Sequence, residues 1–173
     1  TYKGSHLRGL GKQLSLKLRA DLGYGESYGA TTQMPFFKNF YSGGLGSVRG
    51  YKKYTLGPRN SPQGGFYSYS RPTGGNVQIV LGAEVIFPLP FVKDQRSLQS
   101  SLFFDAGNIF NTKCGNSEIN CFSPKEGELR YSVGVGATWL SGFGPITFSI
   151  AKPLNSQPGD ETEVFQFSLG NQF

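Results

Sequence analysis

The chain has 173 residues, with 25 glycines, 10 prolines and many aromatics (15 Phe, 9 Tyr and 1 Trp), yet its mean hydropathy is only -0.31. No stretch reaches the ~18 consecutive apolar residues of a membrane-spanning helix, and the aromatic content argues against disorder, which leaves one turn-rich domain. The net charge of +6 comes from scattered basic residues, so we expect no nucleic-acid partner. Because the sequence begins at Thr1 without a signal peptide, we expect it to be a piece of a longer chain.

Apolar and polar residues alternate without interruption over 13–24, where every even position is apolar and no odd position is. This period of two predicts a long β-strand with one apolar face. The same pattern returns further along the chain, at 76–87, 100–107, 130–139, 146–150 and 165–173. The sequence therefore predicts an all-β protein with about six long strands.

The faces of these predicted strands differ in a way that is unusual for a soluble sandwich. Their apolar faces carry aromatics near the ends, and their polar faces carry charges and glycines. A lipid-facing outside and a wet interior explain this pattern, as in an antiparallel transmembrane β-barrel with strands of ~10 residues. Since bacterial barrels start at eight strands and open edges are costly in lipid, we expect a fragment of a larger barrel or part of an oligomer.

The predicted connections alternate between longer and shorter segments, at 25–75, 90–97, 112–128, 141–144 and 155–162. Long external loops and short periplasmic turns alternate in this way in outer-membrane barrels. We therefore expect the long loop 25–75 to be external and the C-terminus to be periplasmic.

Cys114 and Cys121 lie in a polar stretch without a nearby histidine or further cysteine, so we expect no metal site. A loop disulfide in an oxidising compartment is favoured over two free thiols. His6 is the only histidine, and the glycine-rich segments 9–12 and 43–46 lack the spacing of a phosphate-binding loop. We expect no catalytic residues, no cofactor and no enzymatic activity.

Several motifs in and after the long loop are specific. They are MPFFKNFYSGG at 34–44, Val48-Arg49-Gly50-Tyr51, LGPR at 56–59, FFDAG at 103–107 and FQFSLGNQF at 165–173. Together they resemble the BamA family, the barrel subunits of the machinery that assembles outer-membrane barrels. The resemblance covers nearly the whole chain. It implies the last six strands of a sixteen-stranded barrel, without the earlier strands and the periplasmic POTRA domains.

The resemblance implies that the chain belongs to a protein that inserts and folds β-barrel proteins in the bacterial outer membrane. The partners it implies are outer-membrane lipid and lipopolysaccharide, nascent β-barrel substrates, and lipoprotein subunits bound through the missing periplasmic part. Such a protein can work by offering a weak sheet edge to an incoming strand. A related transporter of the two-partner secretion or TamA type, or a passive porin, remains the alternative.

The last predicted strand carries Phe165, Phe167, Leu169 and Phe173 on one parity, and we expect these side chains to face lipid. Gly170 weakens the strand and permits a kink. The resemblance implies that this strand forms a lateral gate with the first strand of the barrel. It also implies that the terminal aromatic serves as a sorting signal during assembly.

Glu84 and Asp105 fall on the polar parity of two consecutive predicted strands. If the turn is centred on 94–95, they are direct cross-strand neighbours, with Cβ atoms roughly 5 Å apart. Two carboxylates so placed need a cation or a shared proton. Arg49 is the natural cation because its planar fork can bond both, whereas the alternative is an ordinary solvated loop arginine. We expect Arg49 to fold into the lumen and to hold the long loop against the inner wall.

Overall fold

The computed structural model of the chain describes residues 1–11, 13–27, 29, 34–60, 70–89, 97–114, 118–119, 121, 128–142 and 144–170. Over these residues the protein is all-β, with eleven strands and one short 3₁₀ turn at Phe36–Lys38. In this part of the chain no helix has the length and apolar character needed to cross a membrane.

Seven strands form one antiparallel sheet in the order β1-β2-β5-β6-β8-β9-β11. The remaining four form two small ladders, β3 with β10 and β4 with β7. In chain order the strands are β1 (Tyr2–Gly9), β2 (Ser15–Tyr24), β3 (Gly50–Tyr51), β4 (Arg59–Asn60), β5 (Val77–Phe87), β6 (Leu98–Phe110), β7 (Glu118–Ile119), β8 (Arg130–Ser141), β9 (Gly144–Pro153), β10 (Thr162–Glu163) and β11 (Phe165–Leu169). The expected all-β antiparallel architecture is confirmed.

The large sheet has one strand more than the sequence pattern predicts. Strand β1 pairs along its whole length with β2, which places His6 opposite Leu18 and Arg8 opposite Leu16. Cross-strand partners share a face, so polar and charged side chains here lie on the face that is apolar elsewhere. The alternation that marks the other six strands is therefore broken in β1, and the predicted number of six was too low.

The large sheet exposes an apolar face, as expected for strands that face lipid. Its exposed apolar side chains come from six strands and include Leu18, Leu22, Leu81, Leu102, Phe104, Val135, Trp139, Phe148, Ile150, Phe165 and Phe167. The opposite face, called the polar face here, is covered by the long loop and buries Asp105, Ser132, Ser149 and Gln166. The large apolar patch thus lies on the exposed side of the sheet. Soluble monomeric domains rarely expose an apolar patch of this extent.

The long loop between β2 and β5 lies on the polar face and forms the buried core there. Val48, Tyr51 and Leu56 of the loop pack with Val80 of β5, and all four are fully buried. A glycine in β6 permits this approach, since a Cβ at Gly107 would come within 2.9 Å of Val48 Cγ2. The loop therefore packs closely against this part of the sheet.

The register between β5 and β6 differs from the expected one. Glu84 lies opposite Phe103, and Gly82 lies opposite Asp105, so the direct pairing of Glu84 with Asp105 was wrong. Turn geometry sets the register of a hairpin, and residues 94–95, where the turn centre was placed, lie outside the described residues. The ladder is shifted by two positions, which preserves the face, so both carboxylates still lie on the polar face as diagonal neighbours.

Candidate functional site

The side chain of Arg49 joins the two acidic groups on the polar face. Its Nε and Nη2 donate to Asp105 Oδ2 and Oδ1 at 2.7 and 3.0 Å, and its Nη1 donates to Glu84 Oε1 at 3.0 Å. The backbone N–H of Arg49 donates to Asp105 Oδ2 as well, at 3.2 Å. One guanidinium therefore forms a bidentate pair with one carboxylate and a single bond with the other, a strong charge-assisted arrangement.

Strand β6 builds this site with three successive positions on its polar face. Phe103 lies two residues before Asp105, and the centroid of its ring is 3.4 Å from Arg49 Cζ. Two residues earlier again, Ser101 Oγ donates to Glu84 Oε1 at 2.6 Å. The period of two in the strand places all three side chains on one face, and the aromatic ring adds a cation–π contact to the ion pairs.

Arg19 of β2 is a second arginine at the site, and the sequence reasoning did not include it. Its Nη2 lies 3.8 Å from Asp105 Oδ1, and it donates to the backbone carbonyls of Gly46, at 2.9 Å from Nη1, and of Ser47. The signal was present, because Arg19 has the polar parity of β2, and Gly82 lies opposite both Arg19 and Asp105 in the ladder. Arg19 therefore binds the loop backbone and the acidic cluster at once.

The buried charges of the site are balanced. Burial on its own would lower the pKa of the Arg49 guanidinium, but the hydrogen bond to Asp105 and the charges of Asp105 and Glu84 raise it above its ordinary value. Asp105 is fully buried, and an ionised carboxylate there requires paired cations. Arg49 and Arg19 are the cations beside Asp105, and Glu84 has Arg49 at 3.0 Å and Lys17 opposite it in the ladder.

The residues on either side of Arg49 also contact the sheet. Val48 packs against Gly107, as described above, and Tyr51 is fully buried with its hydroxyl donating to the Tyr131 carbonyl at 3.4 Å. Burial raises the pKa of the Tyr51 hydroxyl to about 12, so it stays protonated and can donate at physiological pH. The Val48–Tyr51 segment, called the loop motif here, is thus held by apolar packing as well as by ion pairs.

The last strand places its predicted apolar residues on one face, as alternation requires. Phe165, Phe167 and Leu169 are more than half exposed on the apolar face. The pairing of β11 with β9 ends at Leu169. The next residue, Gly170, has a φ of +85°, a conformation that favours glycine. Phe173 lies outside the described residues, and its role as a terminal signal stays a prediction, as does the lateral gate.

The two cysteines are joined in a disulfide, with their Cα atoms 6.0 Å apart. The bridge closes the segment that contains β7, and β7 pairs with β4 of the long loop through Asn60 opposite Glu118. The disulfide between Cys114 and Cys121 therefore lies beside the long loop, at the end of the sheet away from the turn at Ser141–Gly144.

A second group of ion pairs, in which Arg59 is buried, Glu161 is partly exposed and Lys52 is exposed, holds the long loop near the β9–β10 connection, and the sequence reasoning did not predict it. The guanidinium of Arg59 is nearly fully buried and donates to the carbonyls of Thr55 and Gly159 at 3.1 and 2.8 Å. It also pairs with Glu161, which accepts from Lys52 Nζ at 3.0 Å. These hydrogen bonds, that from Lys52 first and that from Arg59 second, lower the pKa of the Glu161 carboxyl.

Long antiparallel strands with an exposed apolar face, and a loop held on the polar face by buried ion pairs, define part of a transmembrane β-barrel. The Omp85 superfamily domain matches residues 1–173. The chain belongs to this superfamily.

Two relatives and a solved structure agree with the resemblance seen in the motifs. The chain is 41% identical to the outer membrane protein assembly factor BamA of Neisseria meningitidis, over 95% of the chain, and 30% identical to that of Nitratidesulfovibrio vulgaris, over 81%. The crystal structure of Haemophilus ducreyi BamA lacking POTRA domains 1-3 matches over 94% of the chain, with a TM-score of 0.78 and 31% identity. The chain spans 22% and 16% of the two relatives and 32% of the crystallised chain.

Proposed function

We propose that the chain is part of an outer-membrane protein that inserts and folds other β-barrel proteins. The observation that carries this proposal is the loop motif seated on the sheet by Arg49, in a chain 41% identical to a protein named as an assembly factor. A porin needs a lumen open to solutes, whereas here a loop covers part of the polar face and forms a buried core with Val80 of β5. The second candidate is a related transporter of the two-partner secretion or TamA type. It would differ from an assembly factor in the substrate that it acts on.

In the proposed mechanism, β2, β5 and β6 form a stable part of the sheet, called the wall here, and β11 forms a weakly paired edge. The loop motif and Arg19 hold β2, β5 and β6 together through Asp105 and Glu84. Strand β8 pairs with β9 along Ser132–Ser141, but β11 pairs with β9 only along Phe165–Leu169. A short strand at an edge offers unpaired backbone groups to an incoming strand. We infer that the last strand is this edge and forms a lateral gate with the first strand of the complete barrel.

The remaining assignments follow from the same proposal. The exposed apolar face contacts outer-membrane lipid and lipopolysaccharide, the C-terminus is periplasmic, and Phe173 serves as the terminal signal. The partners are nascent β-barrel proteins at the edge and lipoprotein subunits that bind a periplasmic part of the whole protein. The work is done by strand pairing and lipid contact, so we propose no catalytic residue and no cofactor.

The test uses the complete protein with its partner subunits in lipid vesicles, and measures the folding rate of an outer-membrane barrel substrate. We expect Arg49→Lys to slow folding strongly, because an ammonium cannot reproduce the bidentate contact. Arg71→Lys, an exposed position on the same loop, serves as the matched control and should fold substrate normally. If the wild-type vesicles conduct ions or export a soluble passenger but fold no barrel, the proposed function is wrong.

A further inference from the structure

Gln166 is a buried polar residue on the last strand, only 5% exposed, between two exposed aromatics. Strand alternation turns its side chain toward the loop. Its Nε2 donates to the Tyr51 carbonyl at 2.8 Å, and its Oε1 accepts from the Gly50 N–H at 3.4 Å. Nε2 also lies 3.2 Å from Glu163 Oε2. One amide thus satisfies a donor and an acceptor on the backbone of the loop motif.

The loop motif consequently has attachments on two sides. On one side Arg49 binds Asp105 and Glu84, which belong to β6 and β5. On the other side Gln166 binds the next two residues, Gly50 and Tyr51, from the last strand. The attachments come from consecutive residues, so a displacement of Arg49 from the wall must also displace the groups that Gln166 binds.

The chain just before β11 follows the same loop. Strand β10 pairs with the loop motif, with Thr162 opposite Tyr51 and Glu163 opposite Gly50. The Lys52 N–H donates to the Glu161 carbonyl at 2.9 Å. The last strand therefore approaches the sheet along the loop, and the side chain of Gln166 extends that contact into β11 itself.

We propose that Gln166 couples the loop motif to the last strand, so that the strand is held firmly while Arg49 is seated and is loosened when it is not. The inference rests on the proposed function in that it treats the last strand as the edge offered to substrate. Gln166 acts as a positioning residue. An amide suits this role because leucine would leave the Gly50 N–H and the Tyr51 carbonyl buried without partners. Glutamate would keep an acceptor for Gly50 but would turn a carboxylate oxygen toward the Tyr51 carbonyl and the Glu163 carboxylate.

The test is a double-mutant cycle read by amide hydrogen exchange on the complete protein in lipid discs. The four proteins are wild type, Gln166→Leu, Arg49→Lys and the double variant, and the readout is exchange in the peptide covering 165–169. We expect each single variant to raise the exchange rate about tenfold, the equivalent of ~1.4 kcal/mol. The double variant should exchange no faster than Gln166→Leu alone, because the coupling is already broken. Gln166→Glu should exchange at least as fast as Gln166→Leu, because it buries a carboxylate beside the Tyr51 carbonyl and the Glu163 carboxylate.

Ser168→Ala is the matched control, since Ser168 lies on the same face of the same strand, opposite Thr147, and it should leave exchange unchanged. If Gln166→Leu fails to fold, judged by heat-dependent migration in detergent gels, the cycle is run with Gln166→Met, which keeps the length of the side chain and lacks the amide. The proposal is overturned if Arg49→Lys raises exchange as much in the Gln166 variant as in wild type, or if exchange does not respond to Gln166.

Substrate folding measured on the same samples separates this inference from the proposed function. A non-additive cycle in a protein whose wild type folds no barrel substrate supports the coupling and contradicts the proposed function. An additive cycle with substrate folding lost in Arg49→Lys does the reverse.

Discussion

Arg49→Lys tests the loop site most directly, because it keeps the charge and removes the fork. The wild-type side chain makes three hydrogen bonds to ionised groups, two to Asp105 and one to Glu84. A lysine ammonium can occupy one of these places, so two charged bonds are lost at ~1.5–3 kcal/mol each. The carboxylates keep a nearby cation, which offsets part of the loss. We expect the free energy of unfolding to fall by about 3 kcal/mol.

The assay is urea unfolding of the complete protein in lipid vesicles, with the midpoint compared at constant slope. Arg71→Lys is the control and should unfold with the wild-type midpoint. The triple variant Arg49→Met, Glu84→Gln and Asp105→Asn should lose less stability than Arg49→Met alone. In the triple variant no buried carboxylate is left without its partner. An Arg49→Lys protein within about 0.5 kcal/mol of wild type, the range of an ordinary surface substitution, would refute the bidentate account.

Four further predictions address other parts of the chain. Alkylation without reductant should leave Cys114 and Cys121 unmodified by mass, and reduction should cost roughly 2–3 kcal/mol of local stability; two alkylated thiols in the unreduced protein would contradict this. Cysteines placed at Gly170 and on the first strand of the complete barrel should abolish function in cells once cross-linked, whereas normal growth under a verified cross-link would exclude the gate. Because the pKa of Glu161 is lowered in the folded protein, its stabilising effect should be present above its ordinary value of 4.5 and lost as the pH falls through the folded value; Glu161→Gln should remove that part of the acid sensitivity, measured by loop proteolysis. Gly107→Val should displace Val48 and the Ile79 carbonyl, to which a Cβ would come within 2.9 and 2.7 Å, and so raise proteolysis of the loop at neutral pH; an unchanged digestion pattern would argue against close packing there.

The strands with regular alternation could be predicted from the sequence, because a lipid face and a wet face impose a period of two that is visible in the residues. Strand β1 could not, since His6 and Arg8 occupy its apolar-side positions and the pattern disappears. Its place is fixed instead by backbone pairing with β2, which leaves no trace in composition. The number of strands in the large sheet was therefore wrong by one, while the fold class was right.

The residue types of the site could be predicted further than its geometry. Two carboxylates of one parity, an arginine in a long loop and the family motif around that arginine together brought Arg49, Glu84 and Asp105 into one prediction. The register of β5 and β6 could not be predicted, because it depends on where the turn between them is centred. That position cannot be read from the sequence. Gln166 and Arg59 were missed for another reason: their partners are mainly backbone carbonyls and N–H groups, which every residue has and no motif marks.

The hydrogen bond from the Arg49 backbone N–H to Asp105 has a consequence for how much variation each position can tolerate. Every amino acid except proline carries that N–H, so a substitution at 49 removes the fork but leaves one attachment to the wall. Asp105 receives both the side chain and the backbone of residue 49, and a change there removes both at once. In a library that samples all residues at each site, position 105 should therefore accept fewer substitutions than position 49, although both belong to the same ion pair.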